Sequence, residues 1–254
     1  MISLQKANIG KRIIAAIFDG ILVSILAVGL VAIFSGVFNT DAYLNTYQQA
    51  YTKYSTEYDV DLSYSEYNTL TQEQKSDYDQ RAAQAEEAFA NDKDAVYAYN
   101  MFINLSLIII TFGVLISVVL IEFIVPLLFG NGQTLGKKVF GIALMHKEGI
   151  KVGNLQLFAR TVLGKFAIEL MIPLYILMMI YFDSIGIISS VILLALVIAQ
   201  IVCFITSRTN SLLHDIMAGT IAVDMASQRI FDTKDALLEY KKKIHAQKVN
   251  ESTY

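Results

Sequence analysis

Three carboxylates interrupt long apolar stretches of this sequence. Asp19 lies in the apolar run of residues 11–37, and Glu122 and Glu169 lie in two later apolar stretches. An ionised carboxylate at the centre of a bilayer costs about 3 kcal/mol on insertion scales, so each side chain should face protein, water or a cation. A carboxylate kept partly out of water holds its proton more tightly and can exchange it for a cation. The spacing therefore predicts either proton and cation chemistry or internal ion pairs.

The three acids share one predicted depth. Counting from the predicted inner ends of their helices, near residues 12, 129 and 160, each acid lies seven to nine residues inward, which is about 10–14 Å. Basic residues and one more acid can approach this depth from the inner side: Arg12, Arg160, Lys165, Lys137, Lys138 and Asp215.

Two interpretations of this set stay open. Arg12 precedes Asp19 by two helical turns on the same face, and Lys165 and Glu169 have the i, i+4 spacing that allows pairing. The set is either a proton or cation pathway or a network of ion pairs that fixes how the helices meet. The two interpretations are compatible.

Composition predicts an all-α polytopic membrane protein. The chain has 254 residues, is 55% hydrophobic and holds only two prolines. Four transmembrane helices are expected, the first within residues 1–37 and the others at about 101–129, 155–182 and 187–206, joined at 183–186 by a tight outer turn. Basic residues concentrate in the short inner segments, so we expect a multi-pass protein with cytoplasmic N- and C-termini.

Residues 38–100 have a different composition. They hold twelve acidic and four basic residues, and their tyrosines follow a helical spacing: Tyr43, Tyr47, Tyr51, Tyr54 and Tyr58. A second helix is predicted from Thr71, with Gln74 completing a capping box. We expect an extracytoplasmic helical hairpin with its turn near 59–64. The tyrosines form either the seam between its helices or a surface for a ligand or protein partner.

Small cytoplasmic elements are expected around the membrane helices. Residues 139–145 and 150–152 predict a short β-hairpin, to which residues 220–224 could add a strand. The core region of 101–226 is followed by a basic tail, 227–254, which predicts a solvated helix with a weaker option of contact with anionic lipid. Pro126 should free a backbone carbonyl near residue 122 and kink its helix.

Several classes of protein are disfavoured by what the sequence lacks. The single cysteine, Cys203, allows no intramolecular disulfide and no cysteine cluster for a metal. The pair His214 and Asp215 could suggest catalysis, but the other histidines offer no ligand spacing, so a structural role is favoured. No phosphate loop, nucleophile elbow or nucleic-acid patch is evident. We expect no enzyme activity, no cofactor, no metal and no nucleic acid partner.

Four motifs together resemble the RDD family of bacterial membrane proteins, named for an arginine and two aspartates. They are Arg12 with Asp19, residues 133–141 (QTLGKKVFG), Arg160, and residues 213–220 (LHDIMAGT). The resemblance covers about residues 5–40 and 100–225, and the long segment 38–100 departs from it, since this loop is usually short in the family.

The resemblance implies roles for particular residues. Arg12, Asp19 and Asp215 would be the residues that give the family its name. It also implies a structural motif and a location in the bacterial cell membrane; the motif residues are Gly132, Thr134, Gly136, Gly141, His214, Gly219 and Thr220. Some members are associated with sodium/proton exchange, and most have no assigned activity.

The leading hypothesis is a small transporter or transport accessory that favours monovalent cation/proton exchange. Asp19 would bind the proton or cation, while Arg12 and Asp215 gate or tune it. Four helices are few for one transport path, so a homo-oligomer in contact with membrane lipid is expected. The rival hypothesis is a membrane-anchored interaction or immunity protein whose hairpin meets an extracytoplasmic protein partner.

Overall fold

The computed structural model describes residues 4–181 and 187–251, and most of them are helical. The predicted turn at 183–186 lies outside the described residues. In chain order the first elements are α1 (Ile9–Val37), α2 (Thr40–Glu57), α3 (Tyr64–Thr69), α4 (Gln72–Asn91), α5 (Lys93–Val119), a π-helical segment π1 (Leu120–Ile124), α6 (Val125–Phe129), α7 (Leu135–Val139) and β1 (Ile142–His146). The later elements are α8 (Asn154–Phe158), a second π-helical segment π2 (Ala159–Met171), α9 (Ile172–Tyr181), α10 (Ile187–Thr206), α11 (Leu213–Ala218), β2 (Thr220–Asp224) and α12 (Lys234–Glu251).

Two of the described helices are long and apolar enough to cross a membrane. They are Ile9–Val37 and Lys93–Phe129, with 29 and 37 residues. The second begins at Lys93, eight residues before the predicted start at 101, so residues 93–100 of the predicted hairpin belong to this long helix. Only 11% of the most apolar window of α1 is buried within the protein. Such a continuous exposed apolar surface is what a lipid-facing helix presents.

The chain divides into two compact units. One unit comprises the described residues up to Ala27 and from Val114 onward, and we call it the core unit. The other comprises residues 28–113, and we call it the hairpin unit.

A two-stranded sheet lies in the core unit. Strand β1 pairs antiparallel with β2, and Ile142 lies opposite Asp224. The side chains alternate between two apolar clusters: Ala143 and Val223 belong to one, and Ile142 to the other. Because each strand has both faces covered, its first four residues are buried.

The predicted β-hairpin of residues 139–145 and 150–152 is wrong in its first residues and in its partner strand. Thr134 caps helix α7 by accepting a hydrogen bond from the Lys137 N–H, so Val139 is helical. Residues 150–152 make only single bridges, through Lys151 to Met145 and through Ile150 to Phe231. The strand proposed at 220–224 is present and takes the place of the predicted partner.

The hairpin unit forms from local signals. Helices α2 and α4 pack together, and the short helix α3 lies in the connection between them. The predicted capping box is present: the Thr71 hydroxyl accepts from the Gln74 N–H, and the Gln74 side chain accepts from the Thr71 N–H. Tyr47 packs against Phe89 of α4 with ring centroids 5.9 Å apart, as expected for a seam between the helices.

Both π-helical segments end just before a proline. Segment π1 precedes Pro126, and π2 precedes Pro173. A proline cannot donate to the carbonyl four residues earlier. After π1 the N–H of Val125 instead bonds to the carbonyl of Leu120, five residues back. Such wider turns are rare and often lie at functional sites.

The predicted basic helix of the tail is present and mostly exposed, but one of its faces is buried. Helix α12 begins at Lys234, and its Leu237 is buried. The ring of Tyr240 lies 5.2 Å from that of Phe231, whose side chain is also buried. One face of α12 therefore packs against other residues of the core unit, among them Phe231.

Candidate functional site

Asp19 is fully buried and held by the turn that begins α7. The hydroxyl of Thr134 donates a hydrogen bond to one carboxylate oxygen, and the N–H of Gly136 donates to the other at 2.8 Å. The Lys137 Nζ lies 4.0 Å from the carboxylate. The residues around the Asp19 charge thus come from the motif at 133–141.

Gly136 is required by this close approach. A Cβ atom at this position would lie 2.4 Å from the carbonyl oxygen of Ala15 and 3.0 Å from the Asp19 carboxyl group. Real Cβ atoms do not approach backbone oxygen so closely, so a larger residue would displace α7 from α1. The structure thus gives Gly136 a packing role in the Asp19 site.

Lys137 faces two acids. Its Nζ lies 3.2 Å from the Thr134 hydroxyl oxygen, and both Asp19 and Glu122 act on it electrostatically. Burial, together with the positive charges of Arg160 and Lys165, lowers the pKa of Lys137 to about 7, because the two acids only partly compensate. An ammonium group in this position can gain or lose a proton near neutral pH.

Glu122 joins the second and third apolar stretches. Its carboxylate pairs with Lys165, and its backbone carbonyl accepts a hydrogen bond of 3.0 Å from the buried hydroxyl of Thr161. This carbonyl is the one that Pro126, four residues later, cannot reach. The carbonyl freed by the proline is therefore satisfied by a neighbouring helix.

Asp215 lies among two arginines and a hydroxyl. Arg160 donates from Nε at 2.8 Å and Thr220 from its hydroxyl at 3.0 Å, and an Nη atom of Arg12 lies 3.5 Å away. Burial is the largest single effect and would raise the pKa of Asp215, but the charge and hydrogen bond of Arg160, together with its other cationic neighbours, outweigh burial and lower that pKa below its usual value. Asp215 therefore stays ionised.

His214 bridges an acid and an arginine. Its Nδ1 lies 2.7 Å from a Glu169 carboxylate oxygen, and its Nε2 lies 2.9 Å from an Nη atom of Arg160. Arginine only donates, so Nε2 accepts and Nδ1 carries the proton. Burial, followed by the positive charge of Arg160, lowers the pKa of His214, which favours this neutral form. His214 thus connects Arg160 to Glu169 through its two ring nitrogens.

We call these residues the ion-pair cluster: Arg12, Asp19, Glu122, Lys137, Arg160, Lys165, Glu169, His214 and Asp215. Two of their pairings differ from the sequence expectations. Lys165 pairs with Glu122 and not with Glu169, whose partner is His214. Arg12 pairs with Asp215 and donates to the carbonyl of Asn210 at 2.7 Å, although its spacing had suggested proximity to Asp19.

Lys138 does not join the ion-pair cluster. Its side chain is exposed, and its Nζ lies 3.7 Å from the ring centroid of Phe129. Three motif glycines have positive φ angles: Gly132, Gly141 and Gly219, at 63°, 67° and 64°. L-residues with side chains seldom adopt this conformation. Gly141 and Gly219 therefore shape the turns just before the two strands, and Gly132 shapes the turn before α7.

Two residues of the site were not singled out from the sequence. A Cβ atom on Gly164 would lie 2.6 Å from the Cβ of His214, so this glycine lets α11 approach π2. Thr161 is fully buried. In the sequence, Gly164 is visible only as a glycine within an apolar helix, and Thr161 only as a polar residue near its start. Neither signal identifies the residue that it contacts.

One polar atom in the site has no partner. The Nη1 of Arg160 is buried and makes no hydrogen bond with the part of the chain that the structure describes. Within the same described residues, no group of three or more histidine, cysteine, aspartate or glutamate side chains has the geometry to hold a metal ion. The arrangement therefore keeps opposite charges paired in the interior, and Lys137 is its one base with a pKa near neutral pH among the described residues.

The hairpin unit has a cleft of about 490 Å³ between its helices. Aromatic side chains dominate its lining, among them Tyr47, Tyr51, Tyr54 and Phe89. Tyr51 is 58% exposed. The tyrosine stripe thus both packs the seam and presents an accessible aromatic surface.

Comparison with known proteins gives one family. No curated protein and no solved structure matches the chain. The family model described as the RDD family matches residues 6–219, a range that holds every residue of the ion-pair cluster. Since this match covers most of the sequence, and since the chain has long exposed apolar helices, the protein is a membrane protein that belongs to the RDD family.

Proposed function

We propose that this protein is a small transporter, or an accessory subunit of one, that exchanges protons for monovalent cations at the ion-pair cluster. The observation that carries the proposal is the position of Lys137, which is buried and faces both Asp19 and Glu122. A proton on this lysine and a cation beside these acids would compete for the same negative charge.

The charge balance of the cluster supports this exchange. Four acids, Asp19, Glu122, Glu169 and Asp215, are matched by four bases, which are Arg12, Lys137, Arg160 and Lys165. With His214 neutral, the cluster has no net charge while Lys137 holds its proton. Loss of that proton leaves one uncompensated negative charge, which one monovalent cation can neutralise. A divalent cation would leave an excess positive charge in a buried site, which is costly.

The proposal includes an arrangement in the membrane. Four spans would place both termini in the cytoplasm of a bacterial cell, and a homo-oligomer would complete a transport path. Residues 154–181 and the helix Ile187–Thr206 would supply the third and fourth spans. With 28 and 20 residues, both meet the length of about 17–25 residues that a helix needs to cross a hydrocarbon core of about 30 Å. The role proposed is transport and not catalysis.

Flux in proteoliposomes tests the exchange. The full chain is reconstituted with a pH-sensitive dye inside, and sodium, lithium or potassium is added outside. We expect cation-dependent proton movement that increases as the pH rises through about 7, where Lys137 loses its proton. Asp19→Asn and Lys137→Met should each reduce it at least tenfold.

Lys138→Met is the matched control, because it removes the neighbouring lysine, which is exposed and lies outside the cluster. Size-exclusion profiles and helical content establish that each variant is folded. Flux that survives both Asp19→Asn and Lys137→Met would contradict the proposal.

A second candidate function is supported by the aromatic cleft of the hairpin unit. Under this alternative the protein is a membrane-anchored interaction or immunity protein, and the cluster only holds the helices together. Exposed tyrosines are the side chains that protein interfaces favour, and Tyr51 is mostly exposed in the cleft.

Growth of a deletion strain under sodium, lithium and alkaline stress separates the two functions. Complementation is compared for the wild type, for a chain lacking residues 45–95, for Tyr51→Ser and for Tyr64→Ser. Tyr64 is 84% exposed and lies outside the cleft lining, so it is the matched control. The alternative predicts that only the deletion and Tyr51→Ser lose complementation, and that no protein in the series, the wild type included, gives cation-dependent flux in proteoliposomes. Full complementation by the deletion would exclude it.

A further inference from the structure

A second cavity lies in the core unit, away from the ion-pair cluster. It is an open concavity of about 860 Å³ between the turn after β1, the segment after β2 and helix α12. Cationic and aromatic side chains mark its lining: Lys147, Arg229, Tyr240, Lys241, His245 and Lys248. Its volume lies within the range of about 300–1,000 Å³ that small-molecule sites occupy.

The charge of this cavity is strongly positive. Three lysines and Arg229 line it, and Glu148 is the only acidic residue among the described residues of the lining. That carboxylate is already engaged by Lys234 at 2.7 Å. None of the three lysines makes an ion pair of 4.0 Å or less with a described residue. Unpaired cations gathered in a concave site create a local potential that attracts anions.

An aromatic wall supports the cationic side chains. The Arg229 guanidinium lies 4.3 Å from the ring centroid of Tyr240 and 5.3 Å from that of Phe231. The two rings pack 5.2 Å apart. These contacts hold Arg229 against the wall of the cavity.

Helix α12 presents one face to the cavity. Leu237, Lys241 and Lys248 follow each other at intervals of four and seven residues, which places them on the same side of a helix. Leu237 is buried and anchors this face, whereas Lys241 and Lys248 are exposed. The face is therefore closed at one end and open at the cationic end.

We propose that this cavity binds a soluble, phosphate-bearing organic anion of about nucleotide size. Lysine ammonium groups bind phosphate oxygens through charge-assisted hydrogen bonds. The apolar lining, which includes Met145, Ile221 and Leu237, would contact the remainder of the ligand. The concave shape favours a soluble ligand, since a lipid surface would be met by a flat or convex array of lysines. The proposal does not depend on the transport function.

Isothermal titration of the full chain in nanodiscs of phosphatidylcholine tests this site. The probes are ATP and inorganic phosphate, each at two salt concentrations. We expect saturable binding of ATP, weaker binding of phosphate and a loss of affinity at the higher salt. The double variant Lys241→Gln with Lys248→Gln should bind ATP at least tenfold more weakly.

The matched control is the double variant Lys242→Gln with Lys243→Gln. It removes the same charge from the same helix, but neither residue lines the cavity. We expect the control to bind ATP like the wild type. Equal losses in both double variants, or no ATP binding by the wild type, would overturn the proposal.

A third arm addresses lipid as the ligand. The wild type is mixed with vesicles containing phosphatidylglycerol, in the presence and absence of ATP. Binding that occurs only to these vesicles, with none to ATP, would also overturn the proposal. Cation-dependent flux of the Lys241→Gln with Lys248→Gln variant is measured in parallel. Because both lysines lie outside the ion-pair cluster, a loss of ATP binding with normal flux separates this site from the proposed transport function.

Discussion

The core unit and the hairpin unit use the same charged residue types in different ways. In the core unit, Arg160 and Asp215 are almost fully buried and come from positions 55 residues apart. In the hairpin unit, Arg81 pairs with Asp77, one helical turn away, and the aspartate side chain is 69% exposed. The first pair joins separate elements in the interior, whereas the second lies on the surface of one helix, from which Arg81 also donates to the carbonyls of Tyr58 and Asp59.

This difference sets the expected energy of each pair. Exposed pairs contribute about 1 kcal/mol or less because water and salt screen them. Breaking a buried pair leaves an uncompensated charge and costs about 3–5 kcal/mol. Stability of the core unit should therefore depend on the completeness of the ion-pair cluster, and that of the hairpin unit on local helix formation.

The largest effect is expected from replacing the two arginines. Arg160→Ala removes the main partner of buried Asp215 and should lower the free energy of unfolding by about 3–5 kcal/mol. Arg81→Ala removes exposed ion pairs and the hydrogen bonds to the Tyr58 and Asp59 carbonyls, and should lower it by only about 1–2 kcal/mol. Both are measured by denaturant unfolding in detergent micelles.

Arg160→Lys keeps the charge but not the planar fork that reaches both Asp215 and His214, so an intermediate loss is expected. This variant also provides a folded protein if Arg160→Ala does not accumulate. Similar losses for Arg81→Ala and Arg160→Ala would break the contrast between the two units.

Adding one methyl group at Gly164 gives the next largest effect. The new Cβ would lie 2.6 Å from the Cβ and 2.8 Å from the Cα of His214, so α11 must move. We expect Gly164→Ala to destabilise the protein by about 1–3 kcal/mol, the usual cost of overpacking. The measurement is thermal unfolding, with the near-ultraviolet signal as a probe of packing.

Gly20→Ala is the matched control for this substitution. A Cβ at Gly20 would meet nothing within 4 Å, and alanine favours a helix by about 1 kcal/mol over glycine. Neutral or slightly increased stability is expected. A loss in this control as large as that of Gly164→Ala would show that the close approach to His214 is not the cause.

The hairpin unit was the easier part to predict from sequence. Its helix start at Thr71 follows from a side chain and a backbone group three residues apart. The tyrosine spacing likewise predicted one helix face. Such signals depend only on neighbouring residues, so they survive without knowledge of the fold.

The ion-pair cluster could be predicted only as a set of residues. Apolar context identified Asp19, Glu122 and Glu169 as buried, but not their partners. Pairing depends on how separate helices meet. Lys165 pairs with Glu122, 43 positions away, and not with Glu169 on its own helix. The wider π-helical turns before the prolines also alter helical spacing, which an i, i+4 rule cannot anticipate.

The pH dependence of stability sharpens the assignment of Lys137. Its pKa is lowered to about 7 in the folded protein, from 10.5 in water. Between these values the unfolded state binds a proton that the folded state has released, so stability rises with pH. The expected slope is at most about 1.4 kcal/mol per pH unit.

Denaturant unfolding at pH 7.5 and 8.5 measures this slope in detergent micelles. Lys137→Met removes the titrating group, so the rise should be smaller in this variant than in the wild type. Equal slopes for the two proteins would mean that Lys137 keeps its proton across this range, and they would remove the basis for proton exchange at neutral pH.

The smallest effect is expected at the cap of α4 in the hairpin unit. Thr71→Ala removes a hydroxyl that accepts from the Gln74 N–H, which should cost about 1 kcal/mol. The N–H groups at 72–75 should exchange hydrogen faster, because the first turn of the helix opens more often. Mass spectrometry after hydrogen exchange of the full chain resolves this segment.

Thr69→Ala is the control, since this exposed threonine donates to the Glu66 carbonyl within α3 and caps no helix start. Slower or unchanged exchange at 72–75 in Thr71→Ala, or altered protection around His214, would show that the hairpin unit is not stabilised locally.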